Sequence, residues 1–314
     1  MPIKAAVMGL GNIGRYAIEA LEIQPDFTCV GVIRRKESLG KDAHDLRGVP
    51  EYASLADLEA VSGKPDVVLL CAPSRKIPEV AGDLLGRGYN TVDSFDIHDR
   101  IVETIGLLEA QAVKGKAVAI TAAGWDPGTD SVMRALFEAM APVGVTFTNF
   151  GRGRSMGHSV AARAIAGVAD ATSITIPLGG GRHSRLVYVV LEEGADKERI
   201  EEEIKTMPNY FADYDTTVHF ISAEEMERDH SGIPHGGFVI RSGKTGWEEE
   251  YGNVIEYSLK LDSNPAFTSS VLVAFARAAY RLGQEGQSGC RTVFDIAPSY
   301  LSAKSPEELR STML

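Results

Sequence analysis

Two short acidic segments carry side chains that could bind a cation and accept a proton. Asp96 lies in the segment of residues 93–98, and Asp126 stands between Trp125 and a proline. Each segment follows an apolar stretch that is typical of a strand. Carboxylates at such positions can hold a substrate ammonium group and assist proton transfer as an amine becomes an imine. Either aspartate could instead cap the helix predicted to follow it, so both interpretations stay open.

Three glycines near the N-terminus, Gly9, Gly11 and Gly14, have the spacing of a dinucleotide-binding turn. They follow a predicted strand and precede a predicted helix. The first glycine permits a tight bend, the second lets the backbone approach a pyrophosphate, and the third allows close packing of helix on strand. The start of the helix, at Asn12 and Ile13, then presents backbone N–H groups to the anion. We therefore expect a nucleotide at this turn.

A basic run follows the second predicted strand, where an NAD-selective site would have a carboxylate. It consists of Arg34, Arg35 and Lys36. A carboxylate would repel a 2′-phosphate, whereas guanidinium groups pair with it. Such a run is often only a solvated loop, but its position in an otherwise acidic protein favours NADP as the cofactor.

The loop after the third predicted strand is expected to contact the same cofactor. Ligands of open α/β sheets bind at the carboxyl ends of strands, and here the sequence has Cys71, Ala72, Pro73 and Ser74. Cys71 could instead be a nucleophile that forms a thioester. No basic residue nearby in the sequence would lower its pKa, so we favour a small buried residue at a strand end.

A glycine-rich loop and separate cationic groups in the second half of the chain could bind carboxylates. The loop covers residues 150–159 and precedes a predicted helix, which suits backbone contact with an anion. Arg185 and His235 add a guanidinium and an imidazole. For each residue alone, a packing or surface role is the more common one. The seven histidines show no HExxH pairing, so the sequence predicts no metal site.

The elements that must position these residues change in character along the chain. Residues 1–124 alternate short apolar strands with helices, the pattern of a parallel sheet covered on both faces. The strands are predicted at 3–8, 29–33, 67–71, 90–92 and 117–120, and the helices at 14–22, 54–60, 77–87 and 100–113. After a helix over 127–140, strands are predicted at 145–150, 172–176, 185–191, 216–221, 237–241 and 254–261. A helix predicted over 266–282 then leads back to the first domain. After it, the segment TVFDIAP is predicted to form an isolated strand.

These patterns predict an α/β protein of two domains, as the length of 314 residues also favours. A Rossmann-type, doubly wound parallel sheet of residues 1–124 and 266–314 forms the dinucleotide-binding domain. Residues 125–265 form a second, α+β domain with a largely antiparallel sheet, which is expected to select the substrate.

Composition excludes several classes of function. With 32 basic and 43 acidic side chains, the net charge of −11 opposes binding to nucleic acid or to anionic membranes. No run of apolar residues is long enough to cross a membrane, and glycines interrupt the apolar start of the chain, unlike a secretory signal. The three cysteines, Cys29, Cys71 and Cys290, lack a CxxC spacing, which favours a reducing cytoplasm over a disulfide framework or a zinc site.

Eight segments, in order over nearly the whole chain, resemble meso-diaminopimelate D-dehydrogenases. They read MGLGNIGR, VIRRK, SFDIH, AGWDPG, FxxFGxGxSMGHS, TIPLG, HGGF and SNPAFTSS. The resemblance implies a homodimeric, NADP-dependent enzyme whose second domain also forms the dimer. Its reaction would be oxidative deamination of the D-centre of meso-2,6-diaminopimelate to L-2-amino-6-oxopimelate, which cyclises to tetrahydrodipicolinate. In reverse, the same reaction would fix ammonia on the route to lysine.

The resemblance also implies roles for single residues. Asp96 and Asp126 would hold the reacting D-amino group, and Trp125 would line the site beside the nicotinamide. The residues implied to contact the substrate backbone are Phe150, Ser155, Met156 and Gly157. The residues implied to bind the distal L-centre are Thr175, Arg185, His235 and Asn264. The segment 243–253 matches no motif of the family.

The sequence leaves two rival functions open. Another reductase of the same two-domain build, such as a dihydrodipicolinate reductase or a sugar dehydrogenase, would be expected to show a lysine-centred site, and the candidate loops contain no lysine. A non-catalytic NADPH-sensing regulator would bind the nucleotide and tolerate the double change Asp96→Asn with Asp126→Asn.

Overall fold

The computed structural model describes residues 2–41, 46–151, 153–179, 182–208, 210–232 and 234–314, apart from the side chains of residues 149, 150, 156, 177 and 182. The chain divides into two compact units. Unit 1 consists of Met1–Val132 and Pro265–Leu314, and unit 2 of Met133–Asn264. The sequence places these boundaries after residues 124 and 265.

Strands and helices are numbered in chain order. The strands are β1 Ile3–Met8, β2 Phe27–Ile33, β3 Glu51–Tyr52, β4 Val67–Leu70, β5 Thr91–Asp93, β6 Val118–Ile120, β7 Val143–Phe150, β8 Gly153–Ser155, β9 Val168–Gly179, β10 Arg182–Leu191, β11 Thr216–Phe220, β12 His235–Thr245, β13 Tyr251–Leu261 and β14 Gly289–Arg291. The helices are α1 Asn12–Glu22, α2 Leu55–Ser62, α3 Ile77–Gly86, α4 Ile101–Gly115, α5 Thr129–Met140, α6 Met156–Arg163, α7 Lys197–Lys205, α8 Ala223–His230, α9 Asn264–Gln284, α10 Pro298–Leu301 and α11 Pro306–Met313. Short 3₁₀ turns lie at Lys36–Ser38, Ser74–Lys76, His98–Arg100 and Val293–Asp295.

Unit 1 is built on one parallel sheet in the order β14-β6-β5-β4-β1-β2-β3. Alternate residues of β1 enter different cores: Val7 packs with α1 and α9, whereas Ala6 packs with α2, α3 and α4. Both faces of the sheet are therefore covered, which explains why its strands are short and continuously apolar. The predicted Rossmann-type, doubly wound sheet is confirmed.

The edges of this sheet differ from the sequence prediction. β3 and β14 are two and three residues long, too short to give a periodic signal. The segment TVFDIAP, predicted as a strand, is not one. Thr292 and Asp295 form a capping box that closes a 3₁₀ turn over Val293–Asp295, and the strand lies just before it. Local side-chain capping here outweighs the β-branched composition.

Unit 2 contains two sheets, in the orders β11-β10-β9-β8 and β13-β12-β7. Every pairing is antiparallel except that of β10 with β11, so the predicted, largely antiparallel α+β arrangement is confirmed. A core that includes Val187, Ile200 and Phe211 lies between the first sheet and its helices. The unplaced segment 243–253 is the end of the β12–β13 hairpin, in which Gly243 pairs with Asn253.

Among the described helices, not one combines the length and the apolar composition that a bilayer crossing requires.

Candidate active site

The glycine-rich turn joins β1 to α1. Gly9 has a φ of +99°, and a Cβ placed there would lie 2.5 Å from the carbonyl oxygen of Cys71. A Cβ on Gly14 would lie 2.0 Å from the carbonyl oxygen of Gly9. A Cβ on Gly11, in contrast, would meet no atom of the described residues within 4 Å beyond its own chain neighbours. The first and third glycines are thus required by packing, whereas the second leaves open space beside the backbone.

Helix α1 begins directly at this open space. Gly11 is its N-cap and supplies no side-chain hydrogen bond to the first turn. The N–H groups at the start of a helix carry partial positive charge and attract anions. Because the turn offers both space and uncapped donors, it fits the pyrophosphate of a dinucleotide.

The structure separates the three residues of the basic run. Nη1 of Arg34 lies 2.9 Å from Oε2 of Glu51, and the two side chains are only 13% and 19% exposed. The side chain of Arg35 is 82% exposed and makes a looser pair with Glu37, at 3.6 Å. Lys36 is also exposed. The charge that is available to a 2′-phosphate therefore lies mainly on Arg35 and Lys36, while Arg34 neutralises Glu51.

The loop after β4 packs against the glycine turn. The backbone N–H of Cys71 donates to the carbonyl of Met8 at 2.8 Å. Burial raises the pKa of the Cys71 thiol to about 12, and the neighbouring Cys29 adds to the shift. A thiol with this pKa stays protonated at neutral pH, which speaks against a nucleophile here. Ala72 and Pro73 lead into the 3₁₀ turn that begins at Ser74.

Asp93, at the end of β5, is a residue whose function the sequence analysis did not predict. It is fully buried, and its Oδ1 accepts hydrogen bonds from the backbone N–H of Phe95 and from Oγ1 of Thr121, at 2.9 and 2.8 Å. A longer bond, of 3.4 Å, comes from the N–H of Ala122, whose φ is +57°. Burial raises the pKa of Asp93 to about 6. Asp93 thus ties the loop after β5 to the loop after β6.

These two loops carry Asp96 and Asp126. Asp96 is exposed, and Oγ of Ser74 donates a hydrogen bond of 2.6 Å to its Oδ1. Neither aspartate has the N-cap position of a helix: Ile97 has it for the 3₁₀ turn at His98–Arg100, and α5 begins at Thr129, three residues after Asp126. The capping interpretation is therefore wrong for both. The reason is that each loop runs on beyond its aspartate before the next helix begins.

The turn that holds Asp126 is tight. The N–H of Gly124 donates to the carbonyl of Pro127 at 3.0 Å, and the N–H of Asp130 donates to the carbonyl of Trp125 at 2.9 Å. Trp125 is 6% exposed, whereas Asp126 is half-buried. The predicted helix start at residue 127 is wrong, since Pro127 belongs to this turn. The carboxylate thus sits on a rigid backbone beside a buried indole.

In unit 2, Arg185 is the central residue of the candidate site. It is 4% exposed, and its Nη1 donates a hydrogen bond of 2.5 Å to Oγ1 of Thr175 on the neighbouring strand. No Asp or Glu of the described part of the chain forms an ion pair with it, and burial lowers its pKa. A buried charge without an opposite charge beside it is costly, even where neutral groups accept its hydrogen bonds. This arrangement therefore calls for an anionic ligand.

His235 lies beside the same strands. A Cβ on Gly153 would lie 2.5 Å from the Cα of His235, and Gly153 pairs with Thr175. The structure thus places the backbone of His235 beside the strand β8 that pairs with Thr175, and Thr175 in turn pairs with Arg185, ten residues later in the chain. Asn264 is the first residue of α9.

The glycine-rich loop leads from β7 through β8 into α6. Ser155 has the N-cap position of α6, but its hydroxyl pairs with Nδ1 of His158 at 2.9 Å instead of capping the helix. Gly157 is exposed, and among the described atoms beyond its chain neighbours nothing lies within 4 Å of a Cβ placed on it. The first N–H groups of α6 therefore remain available to an anion. The side chains of Phe150 and Met156 lie outside the described part of the structure.

Among the described residues, no group of three or more His, Cys, Asp or Glu side chains is arranged to hold a metal ion.

The sheet order of unit 1, its glycine turn and its two carboxylates define an oxidoreductase with a nucleotide-binding domain of the Rossmann type. Residues 3–92 match the family described as "Oxidoreductase family, NAD-binding Rossmann fold". Residues 124–181 and 178–263 match the family described as "Diaminopimelic acid dehydrogenase C-terminal domain". The chain belongs to the meso-diaminopimelate D-dehydrogenase family.

Relatives of this family match the chain over nearly its whole length. The meso-diaminopimelate D-dehydrogenase of Acetivibrio thermocellus is 46% identical, over 99% of this chain and 98% of the relative. That of Corynebacterium glutamicum is 37% identical, over 98% of each chain.

Solved structures give the same result. The C. glutamicum DAP dehydrogenase in complex with DAP has a TM-score of 0.89 and 36% identity, covering 99% of both chains. An engineered D-amino acid dehydrogenase bound to NADP⁺ has a TM-score of 0.87 and 35% identity, covering 100% of both.

Proposed function

We propose that this protein catalyses the NADP-dependent oxidative deamination of the D-centre of meso-2,6-diaminopimelate. The products are ammonia, NADPH and L-2-amino-6-oxopimelate. The last of these cyclises to tetrahydrodipicolinate. Arg185 carries the proposal. It is a buried guanidinium that forms no ion pair with an Asp or Glu in the part of the chain that the structure describes, and the relatives of this family are named for a dicarboxylic amino acid. The reaction is reversible, and in reverse it fixes ammonia in lysine biosynthesis.

The nucleotide is assigned to unit 1. When bound, NADP accepts the hydride that leaves the D-α-carbon of the substrate. The residues proposed to bind it are Gly9, Gly11, Asn12, Ile13, Gly14, Arg34, Arg35, Lys36, Cys71, Ala72, Pro73 and Ser74. Open space at Gly11 and the exposed guanidinium of Arg35 support this assignment.

Asp96 and Asp126 are proposed to bind the reacting ammonium group. Loss of a proton to one carboxylate gives the neutral amine, whose lone pair then assists departure of the hydride. Water adds to the resulting iminium carbon, and ammonia leaves as the ketone forms. Trp125 covers the reacting centre and limits the access of water during hydride transfer.

Unit 2 is proposed to recognise the remainder of the substrate. Contacts to its backbone are assigned to Phe150, Ser155, Met156 and Gly157, near the N-terminus of α6. The distal L-centre is assigned to Thr175, Arg185, His235 and Asn264. Together these groups offer cationic and neutral donors to the distal carboxylate, as a zwitterion with two charged ends requires.

A substrate comparison tests this function. Formation of NADPH and release of ammonia are measured with meso-diaminopimelate, with its LL isomer and with simple D-amino acids. We expect turnover with the meso isomer and none with the LL isomer. The double change Asp96→Asn with Asp126→Asn should abolish turnover while NADPH still binds. The absence of turnover with every amino acid would leave the NADPH-sensing regulator as the better description.

A homodimer is also proposed, with an exposed apolar sheet face of unit 2 as its interface. Val143, Val145 and Phe147 alternate along β7 and share one face with Val254 of β13. Single exposed apolar residues are common, but a row across a sheet marks an interaction surface. Analytical ultracentrifugation should show a dimer, and Phe147→Glu should shift it to monomer. Val102→Glu, at an exposed apolar position of α4 in unit 1, is the control.

We place the reaction in the cytoplasm. The three cysteines are free thiols, as suits a reducing compartment.

A further inference from the structure

We propose that His183 and Tyr214 are positioning residues that orient the Arg185 guanidinium toward a ligand carboxylate and so set the affinity for dicarboxylic substrates. This inference rests on the proposed function, since it assigns Arg185 to the distal carboxylate. Neither residue lies in a motif that the sequence analysis singled out.

His183 contacts Arg185 directly. It lies two residues earlier on β10, on the same face of the sheet, and its Nε2 is 2.9 Å from Nη2 of Arg185. A guanidinium has only donors, so Nε2 of His183 must be the acceptor and carries no proton. Burial and the charge of Arg185 both lower the pKa of His183, in agreement with a neutral ring.

Tyr214 supports both of these side chains. The guanidinium carbon of Arg185 lies 4.7 Å from the centre of its ring, in cation–π geometry. The ring of His183 stacks on the same phenol, with 4.7 Å between centroids and 28° between planes. The backbone fixes this grouping, because the N–H of Arg185 donates to the carbonyl of Asp215 at 2.9 Å.

These contacts leave one edge of the guanidinium for a ligand. Nη1 donates to Thr175 and Nη2 to His183, whereas the buried Nε of Arg185 has no partner among the described residues. Both acceptors are neutral, so neither cancels the positive charge. A planar group that is held in place loses little conformational freedom when a carboxylate binds. The cluster thus holds the Arg185 guanidinium ready for an anion, and none of its own groups neutralises the positive charge.

His183→Ala tests the inference by removing the acceptor while leaving Arg185 in place. We expect the KM for meso-diaminopimelate to rise roughly tenfold, as for loss of a hydrogen bond to a charged group, with kcat within about twofold of the wild type. His183→Asn retains an acceptor and should recover much of the affinity. Tyr214→Leu should raise KM similarly. His219→Ala is the matched control, because His219 is an exposed histidine of β11 on the opposite face of the same sheet.

A second measurement separates this inference from the proposed function. Binding of pimelate, a dicarboxylate without amino groups, is measured by calorimetry in the wild type and in each variant. Weaker binding to His183→Ala and Tyr214→Leu, but not to His219→Ala, supports the positioning role even if meso-diaminopimelate is not turned over. Unchanged pimelate affinity together with an unchanged KM in folded His183→Ala overturns it.

Discussion

The hydroxyl of Ser74 donates a hydrogen bond of 2.6 Å to Oδ1 of Asp96. The two residues are 22 positions apart and follow the neighbouring strands β4 and β5. A second, longer contact runs from the backbone N–H of Asp96 back to the same hydroxyl, at 3.4 Å. Ser74 therefore fixes the orientation of an exposed carboxylate and leaves its other oxygen, Oδ2, for a ligand.

Ser74→Ala is expected to lower kcat/KM for meso-diaminopimelate by roughly tenfold, because Asp96 loses the group that orients it. Ser74→Thr keeps the hydroxyl and should retain most of the activity. Steady-state kinetics of both variants provide the measurement. If the two variants were equally impaired, the hydroxyl would not be the relevant group, and loop packing would explain the loss.

Arg34 and Arg35 should differ in their effects on nucleotide selectivity. Arg35→Ala removes an exposed charge, so the Kd for NADP should rise about tenfold while the Kd for NAD stays unchanged. Arg34→Ala should weaken NADP binding further, because it leaves the Glu51 carboxylate uncompensated near the 2′-phosphate.

The double variant Arg34→Ala with Glu51→Gln tests the second part of this expectation. It should bind NADP more tightly than Arg34→Ala alone. Fluorescence titration with both nucleotides measures all three variants. Equal losses of NAD and NADP affinity in Arg35→Ala would place this side chain away from the 2′-phosphate.

Asp93 should make the stability of the protein depend on pH. Its pKa of about 6 in the folded state lies above the ordinary value of 3.8, so the folded protein holds the proton more tightly. Stability from this group is fully present below about pH 4 and is lost as the pH rises through about 6, by about 3 kcal/mol in total. Asp93→Asn has no carboxyl group at this position, so its stability should not decrease for this reason as the pH rises.

Denaturant unfolding between pH 4.5 and 8 measures the effect. The free energy of unfolding of Asp93→Asn, relative to the wild type, should increase as the pH rises across this range. Other titrating groups are the same in both proteins, so their contributions cancel when the free energy of unfolding of the wild type is subtracted from that of the variant. Parallel pH profiles for the two proteins would show that Asp93 does not titrate in this window.

The sequence predicts features of this fold that depend on local patterns. The bounds of β1 coincide with the predicted residues 3–8, and the glycine turn lies where its spacing indicates. Contacts between residues that are far apart in the sequence are not predicted by these local patterns. Glu51 stands 17 residues from Arg34, and Thr121 stands 28 from Asp93. Neither pair has a periodic signal, because the sheet order that joins them is a property of the whole chain.

The same limit applies to the site in unit 2. Arg185 is recognisable as a candidate from its guanidinium group and from the resemblance to the family, but His183 and Tyr214 look like ordinary residues of a strand and a loop. Only the pairing of β10 with β11 places the tyrosine under the guanidinium. The capping interpretation of Asp96 and Asp126 was wrong for a related reason: helix starts depend on where each loop ends, which the apolar pattern does not fix.

Gly11 and Gly14 belong to one motif, but substitutions at the two positions should have different effects. Gly14→Ala places a Cβ 2.0 Å from the carbonyl oxygen of Gly9, so helix α1 must move away from the turn. We expect a loss of about 1–3 kcal/mol in the free energy of unfolding, together with loss of NADP binding. A lower thermal midpoint for the free protein is the corresponding measurement.

Gly11→Ala should leave the free protein nearly as stable as the wild type, because a Cβ there meets no atom of another described residue within 4 Å, apart from its chain neighbours. The added methyl group occupies the space that we assign to the pyrophosphate, so NADP affinity should fall by an order of magnitude or more. NADP should then stabilise the wild type against heat but not this variant. If NADP bound Gly11→Ala with unchanged affinity, the phosphates would have to lie elsewhere, and the assignment of the turn would fail whatever happened at Gly14.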